Sequence, residues 1–141
     1  GDSSADAPRP VFRAAYQATG VASGDGGEAI PPKALRDKRV FAFTAIAAPE
    51  KFQATLEILG ARIIKFLAFP DHYFYKESDV RKMAGDAKSQ AAEMIVTTEK
   101  DGVKLTNFRE FYRNIHILSV GLRIDPGEEA FFGALIKLMQ K

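Results

Sequence analysis

Residues 40–69 read VFAFTAIAAPEKFQATLEILGARIIKFLAF, and this run predicts a strand, a helix and a second strand. The first strand, residues 40–43, is continuously apolar, as is typical of a strand buried on both faces. The helix over residues 49–59 has Pro49 in its first turn and is followed by Gly60, a common stop signal. The second strand covers residues 62–69. A strand–helix–strand unit of this kind favours parallel pairing of its two strands.

The same alternation continues toward the C-terminus. The sequence predicts a helix capped by Ser78, a strand over 94–97, a short helical region over 108–112, a strand over 115–120 and a last helix that begins at Asp125. Strands and helices therefore alternate four times. This pattern predicts an α/β fold with a mostly parallel open sheet and helices on both faces, a three-layer, Rossmann-like arrangement.

The N-terminal part is less regular. Residues 1–9 are predicted to be a disordered lead or a non-native remnant, since the chain starts with glycine and polar residues. Residues 10–39 contain a predicted strand over 10–18, a glycine-rich loop over 20–27 and a basic connection. A flexible or β-rich segment is thus expected before an α/β domain over residues 40–141.

Composition excludes several classes of function. The chain has 141 residues, 46% of them hydrophobic, which is enough for one domain with a sizeable core. Its net charge of +2 is too small to favour nucleic-acid binding. It has no cysteine for disulfides or thiolate metal sites, and no apolar run long enough to span a bilayer, so this chain is expected to be soluble. Neither a glycine-rich phosphate loop nor a metal-ligand cluster is evident in it.

Two polar runs each follow a predicted strand. One is Phe69-Pro70-Asp71-His72-Tyr73-Phe74-Tyr75, and the other is Thr97-Thr98-Glu99-Lys100-Asp101. Ligands of open parallel sheets bind beyond the carboxyl ends of the strands, so both runs are candidates for one site. Histidine is the side chain used most often for acid–base chemistry in proteins, and a carboxylate can orient its ring. The alternative interpretation is a surface histidine after a proline turn.

The residues of the second run have similar alternatives. Lys100 has the charge to contact a phosphate, and Thr98 can donate a hydroxyl hydrogen bond. Asp101 is expected either to line the site or to cap the following helix. The simpler interpretation of Glu99 and Lys100 is that they are solvent-exposed surface residues. Tyr75 is expected to cover a substrate or to pack on the core.

Three further features of the sequence can be explained by structure alone, without a functional role. The loop over 44–49 runs into a helix N-terminus, which favours anions, but a tight packed turn explains it equally well. His116 lies within the last strand and is expected to be structural. The basic run over 33–39 is expected to be a solvated face.

Taken together, three runs resemble the C-terminal half of the tetraacyldisaccharide 4'-kinase family, over about residues 10–140. They are residues 41–52, residues 59–75 with the Asp71-His72 pair, and residues 97–105 with the Thr-Glu-Lys-Asp sequence. The chain departs from the family pattern at residues 45–49, where Gly-Ile-Gly-Asn-Pro is usual, and at Tyr73, where a second histidine is often found. Of the family's two histidine positions, only His72 can therefore inherit a catalytic role.

The resemblance implies a lipid kinase of lipid A biosynthesis. Such kinases transfer the γ-phosphate of ATP to the 4'-hydroxyl of a tetraacylated glucosamine disaccharide 1-phosphate, use magnesium, and act at the cytoplasmic side of the inner membrane. Their P-loop and membrane-associating segment belong to the N-terminal half, which would be this chain's missing partner. This chain alone is then expected to bind no cofactor or metal and to be inactive.

The resemblance also implies roles for particular residues. Asp71 and His72 would be catalytic, facing the reaction centre across the interdomain cleft, with His72 helping a carboxylate of the N-terminal half accept the hydroxyl proton. The substrate- or nucleotide-binding residues would be Thr98, Glu99, Lys100, Asp101 and Tyr75.

Two other hypotheses remain at this stage. The chain is alternatively a non-catalytic α/β module that binds a phosphorylated ligand or a protein partner, or a structural domain that docks on another subunit. A P-loop upstream in the reading frame would favour the kinase. The docking hypothesis predicts that the Asp71 and Glu99 clusters lie too far apart to share a ligand.

Overall fold

The computed structural model describes residues 14–124. The chain divides into two compact units, one of residues 18–120 and one formed by residues near the chain ends, of which 14–17 and 121–124 are described. The predicted disordered lead and the predicted last helix from Asp125 lie outside the described residues. The site lies wholly within the unit of residues 18–120.

A five-stranded sheet forms the centre of the fold. Its strands in chain order are β1 (Ala14–Ser23), β2 (Arg39–Thr44), β3 (Arg62–Ala68), β4 (Met94–Thr98) and β5 (His116–Ile124). Their order across the sheet is β1-β5-β4-β2-β3. The pairs β2–β3, β2–β4 and β4–β5 are parallel, which confirms the predicted mostly parallel sheet.

Helices cover both faces of this sheet, as predicted. They are α1 (Pro49–Ile58), α2 (Glu77–Ser89), α3 (Glu99–Gly102) and α4 (Arg109–Arg113), with a 3-10 helix at Pro32–Leu35. The side chains of β2 alternate between the faces, because successive residues of a strand point to opposite sides. Val40 and Ala42 pack with α1, whereas Phe41 and Phe43 pack with α2 and α4.

Two local predictions were wrong. Strand β1 continues to Ser23, so the glycine-rich turn begins later than residue 20. Helix α2 begins at Glu77, so Ser78 is its second residue and not its cap. The Asp79 carboxylate instead accepts the backbone N–H of Lys76 at 2.8 Å, satisfying a donor at the start of the helix.

The strand order places a topological switch point between β2 and β4. After β2 the chain passes over one face through α1 to β3, whereas after β4 it passes over the other face through α3 and α4 to β5. The two connections therefore diverge from neighbouring strands. In open α/β sheets the crevice beyond the carboxyl ends at such a point is the usual ligand site.

Candidate functional site

Three loops meet at the carboxyl ends of the strands. The first loop covers residues 45–48, the second residues 69–76, and the third residues 98–105 with helix α3. Two backbone N–H groups of the second loop donate to the end of β2 and to the first loop: that of Phe69 to the carbonyl of Thr44 at 2.8 Å, and that of His72 to the carbonyl of Ala45 at 3.3 Å. Lys104 Nζ of the third loop donates to the carbonyl of Tyr73 at 3.4 Å. Both polar runs identified in the sequence therefore lie at one edge of the sheet.

Asp101 connects all three loops. Its side chain is fully buried, and its carboxylate accepts four hydrogen bonds. Thr44 Oγ1 and Thr98 Oγ1 donate to Oδ2 at 2.6 and 2.5 Å, while the backbone N–H of Ala45 and the hydroxyl of Tyr75 donate to Oδ1 at 2.9 and 2.8 Å. All four donors are neutral groups. A buried carboxylate is costly unless it is hydrogen-bonded in this way, so the four donors hold Asp101 in place and Asp101 holds them together.

The local sequence explains how Asp101 enters this network. Thr98 is the N-cap of α3, and its Oγ1 accepts the backbone N–H of Asp101 at 3.2 Å. The spacing Thr98-x-x-Asp101 is that of a capping box, which turns the acidic side chain back toward the cap. Asp101 is thus the third residue of the helix and not its cap, and its oxygens point into the network.

Tyr75 joins the second loop to the core. Its ring packs edge-on against Phe43 and Phe69, with centroids 5.6 and 5.2 Å apart. Burial, the charge of Asp101 and the hydrogen bond to it all raise the pKa of the Tyr75 hydroxyl, so that this group stays protonated and continues to donate. The neighbouring Tyr73 donates to Asp79 at 2.8 Å, and this hydrogen bond raises the pKa of Tyr73.

The Asp71–His72 pair lies at the surface of the second loop. The His72 side chain is 90% exposed, and its Nε2 lies 3.6 Å from Asp71 Oδ2. This distance is too long for a hydrogen bond but short enough for a charge interaction once the imidazole is protonated. Phe74, two residues on, is 82% exposed, so an aromatic ring and an imidazole are presented on the same loop.

The predicted binding residues of the third loop divide into two groups. Glu99 and Lys100 are exposed on α3, and the Glu99 carboxylate accepts the Ser119 hydroxyl at 3.0 Å. Thr98 and Asp101, like Tyr75, have their polar atoms engaged in the buried network. Among the five predicted binding residues, Glu99 and Lys100 therefore supply exposed contact surface, while the other three hold the loops together.

The first loop is a packed turn. Ala45 is buried and its N–H is taken by Asp101, so this amide does not point outward. His116 begins β5, at the end opposite to the site, and its Nδ1 has no hydrogen-bond partner among the described residues. Burial lowers the pKa of His116, and the charge of Asp25 opposes that shift.

The sequence interpretation missed the residues that carry the network. The sequence predicts only that Thr44 is part of a loop, and it indicates no individual role for Ala45 or Lys104. A signal for Thr44 was available, since it is the polar residue that ends an otherwise apolar buried strand. Within the described residues 14–124, there is no group of three or more potential metal-ligating side chains, and no helix has the length and apolarity to cross a membrane.

A family model described as tetraacyldisaccharide-1-P 4'-kinase matches residues 2–140. The chain belongs to this family. The tetraacyldisaccharide 4'-kinase of Syntrophus aciditrophicus is 40% identical over 131 residues, which are 93% of this chain and 35% of that protein. The one from Pelobacter propionicus is 38% identical over 117 residues, 82% of this chain and 32% of its own length. The chain therefore spans about a third of the length of these tetraacyldisaccharide 4'-kinases.

A solved structure has the same fold. The crystal structure of an LpxK from Aquifex aeolicus, described as the "apo" form in complex with ATP, superposes with a TM-score of 0.57 and 24% identity. The likeness covers 95% of this chain and 38% of the Aquifex chain. Family membership and the parallel α/β fold thus agree with the kinase resemblance of the three sequence runs.

Proposed function

We propose that this chain forms the C-terminal half of a lipid kinase that phosphorylates the 4'-hydroxyl of a tetraacylated glucosamine disaccharide 1-phosphate in lipid A biosynthesis. The single observation that carries the proposal is the meeting of the three family-like loops at the switch point of the sheet. Because these loops contact one another, the Asp71–His72 pair and the exposed Glu99 and Lys100 lie at the same edge of the sheet.

In the proposed reaction, the 4'-hydroxyl oxygen bonds to the γ-phosphorus of ATP. The bond from that phosphorus to the bridging oxygen breaks and ADP leaves, while the hydroxyl proton passes to a base. His72 assists this proton transfer, together with a carboxylate of the N-terminal half, and Asp71 stabilises the protonated imidazole from 3.6 Å away. Lys100 supplies positive charge toward the phosphates, and Glu99 lies beside it at the surface.

The proposal assigns the remaining functions to the rest of the full-length protein. That part supplies the P-loop, the bulk of the ATP- and magnesium-binding surface and the contact with the inner membrane, on its cytoplasmic side. Magnesium, when bound, neutralises charge on the phosphates. The support for this division is that the matched tetraacyldisaccharide 4'-kinases are about three times longer than this chain, and that its sequence contains no G-x-x-x-x-G-K-[S/T] motif.

The decisive test is the substitution His72→Asn in the full-length protein. Asparagine tolerates the left-handed backbone conformation that His72 adopts, with φ of 65°, so the loop should keep its shape. We expect kcat for ATP-dependent phosphorylation of the lipid disaccharide to fall about 100-fold, as typical for loss of acid–base assistance. The matched control is His116→Asn, which should leave kcat unchanged because His116 begins β5, at the end of the strand away from the site.

The results separate the proposal from its alternatives. Unchanged turnover in His72→Asn would remove His72 from the mechanism. A full-length protein without phosphoryl transfer to the disaccharide would refute the kinase assignment and favour a binding module. Transfer by the 141-residue chain alone would show that the division of labour between the two halves is wrong.

A further inference from the structure

We propose that Asp101 and Tyr75 are positioning residues for His72, which set the place of the imidazole without contacting the substrate themselves. This inference rests on the proposed function, because it concerns how His72 is presented to the reacting hydroxyl. It differs from the family-based expectation that Asp101 and Tyr75 bind substrate or nucleotide. The argument follows from the hydrogen bonds that lead from the buried carboxylate to the second loop.

The shortest connection passes through one residue of the first loop. Ala45 donates its N–H to Asp101 Oδ1 at 2.9 Å, and its carbonyl accepts the N–H of His72 at 3.3 Å. The Ala45 peptide groups therefore lie between the carboxylate and the His72 backbone. A displacement of Asp101 would be transmitted to His72 through this single residue.

A second connection reaches the same loop from its other end. The Tyr75 hydroxyl donates to the same carboxylate oxygen, Oδ1, at 2.8 Å. Tyr75 is three residues after His72, so the loop is held at both points by one oxygen atom. Thr44 and Thr98 hold the other oxygen, Oδ2, and thereby fix the carboxylate to the ends of β2 and β4.

The loop needs this support because His72 is in the left-handed backbone region, with φ of 65°. A residue with a side chain adopts this conformation at a cost, so the surrounding contacts must maintain it. Within the described residues, the one polar contact of the His72 side chain is Asp71, its own neighbour. Because the imidazole is 90% exposed, its position is set by the backbone, and the backbone is set by the network.

The test uses two tyrosines of one loop in the full-length enzyme. Tyr75→Phe removes the hydroxyl that donates to Asp101 and keeps the ring that packs on Phe43. Tyr73→Phe is the matched control, since its hydroxyl donates to Asp79 and not to Asp101. We expect Tyr75→Phe to lower kcat about 10-fold with an unchanged KM for ATP, because small misplacements of a catalytic group reduce the rate by such factors. Tyr73→Phe should change neither.

A double-mutant cycle distinguishes positioning from a general structural effect. If Tyr75 acts through His72, then Tyr75→Phe should have no further effect on kcat in a His72→Asn background. An equal loss of kcat in both backgrounds would overturn the inference. So would a Tyr75→Phe enzyme with the kcat of the wild type. Hydrogen exchange of the peptide over residues 69–76 should rise in Tyr75→Phe and not in Tyr73→Phe, and equal exchange in both would contradict the proposed link.

A conservative change at Asp101 gives an independent readout. In Asp101→Asn, the amide oxygen at the Oδ1 position keeps the bonds from Ala45 and Tyr75. The amide NH2 then faces the Thr44 and Thr98 hydroxyls, which can rotate to accept. We therefore expect Asp101→Asn to retain kcat within about threefold and Asp101→Ala to lose it about 100-fold. A 100-fold loss in both variants would indicate that the negative charge itself takes part, which would overturn a purely positioning role.

The possible failures can be told apart. If His72→Asn leaves kcat unchanged, both the proposed role of His72 and the positioning inference are wrong. If His72→Asn lowers kcat while the Tyr75→Phe loss persists unchanged in that background, the proposed function stands and only the positioning inference fails.

Discussion

Replacing Thr44 by valine should measure how strongly the buried carboxylate holds the site together. Thr44 ends β2, is fully buried, and donates through Oγ1 to Asp101 Oδ2 at 2.6 Å. Valine has nearly the same shape, so the main change is the loss of this hydrogen bond. The neighbouring strand offers a matched control, because Thr97 is equally buried and donates to the backbone carbonyl of Phe43 at 2.8 Å.

The two substitutions differ in the charge of the acceptor. A hydrogen bond to a charged group contributes about 1.5–3 kcal/mol to stability, whereas one between neutral groups contributes about 0.5–1.5 kcal/mol. The methyl group that valine adds offsets part of the loss equally at both positions. Thr44→Val should therefore lower the free energy of unfolding by about 1 kcal/mol more than Thr97→Val does.

Urea unfolding of the 141-residue chain is the appropriate assay, with the slope m compared between variants to verify that the unfolded states are alike. In an Asp101→Asn background, the hydrogen bond between Thr44 and residue 101 joins two neutral groups, so the cost of Thr44→Val should fall to that of Thr97→Val. Equal costs for the two valine substitutions in the original chain would refute the reasoning. The carboxylate would then contribute no more than an ordinary carbonyl.

Two further predictions concern the region around β1 and β5. Gly24→Ala should destabilise the chain by about 3 kcal/mol, because the new Cβ would lie 1.7 Å from the backbone oxygen of Tyr112. Gly20→Ala is the control and should cost little, because no heavy atom lies within 4 Å of its new Cβ. Thermal unfolding of both variants tests this difference, and equal melting temperatures would contradict it. The pKa of His116 should lie below 6.5 and fall further in Asp25→Asn, as NMR titration would show. Since the unfolded chain takes up the proton first, the stability contributed by this residue should decrease as the pH falls through about 6.5, and a pKa at or above that value would contradict the burial argument.

The sequence was sufficient to predict the α/β class because local patterns determine it. The apolar run of β2, the proline and glycine that bound α1, and the following strand are signals within some thirty residues, and each was found close to its expected position. The order of the strands could not be predicted in this way. It depends on which strands pair across the sheet, and β4 pairs with β2 although α1, β3 and α2 lie between them in the chain. The start of α2 was misplaced because Asp79, from inside the helix, satisfies the backbone N–H of Lys76 at its start, whereas the sequence suggested Ser78 as the capping residue.

The site shows the same division between local and long-range information. The sequence was enough to find the polar residues of the candidate site, but it does not show which of their side chains face outward. Asp101 follows Glu99 and Lys100 directly, and the three look equivalent in the sequence. Of the three, only Asp101 is buried. Its position in α3 points its carboxylate at donors from β2 and from the loop after β3, which are 57 and 26 residues away in the chain. A charged residue in such a run is therefore best assigned by asking whether distant hydroxyl and amide donors can reach it. Asp101 is reached by three such donors, from Thr44, Ala45 and Tyr75. In this situation the physical chemistry favours a buried anchor over a ligand contact, and function passes to the exposed neighbours that the anchor holds in place.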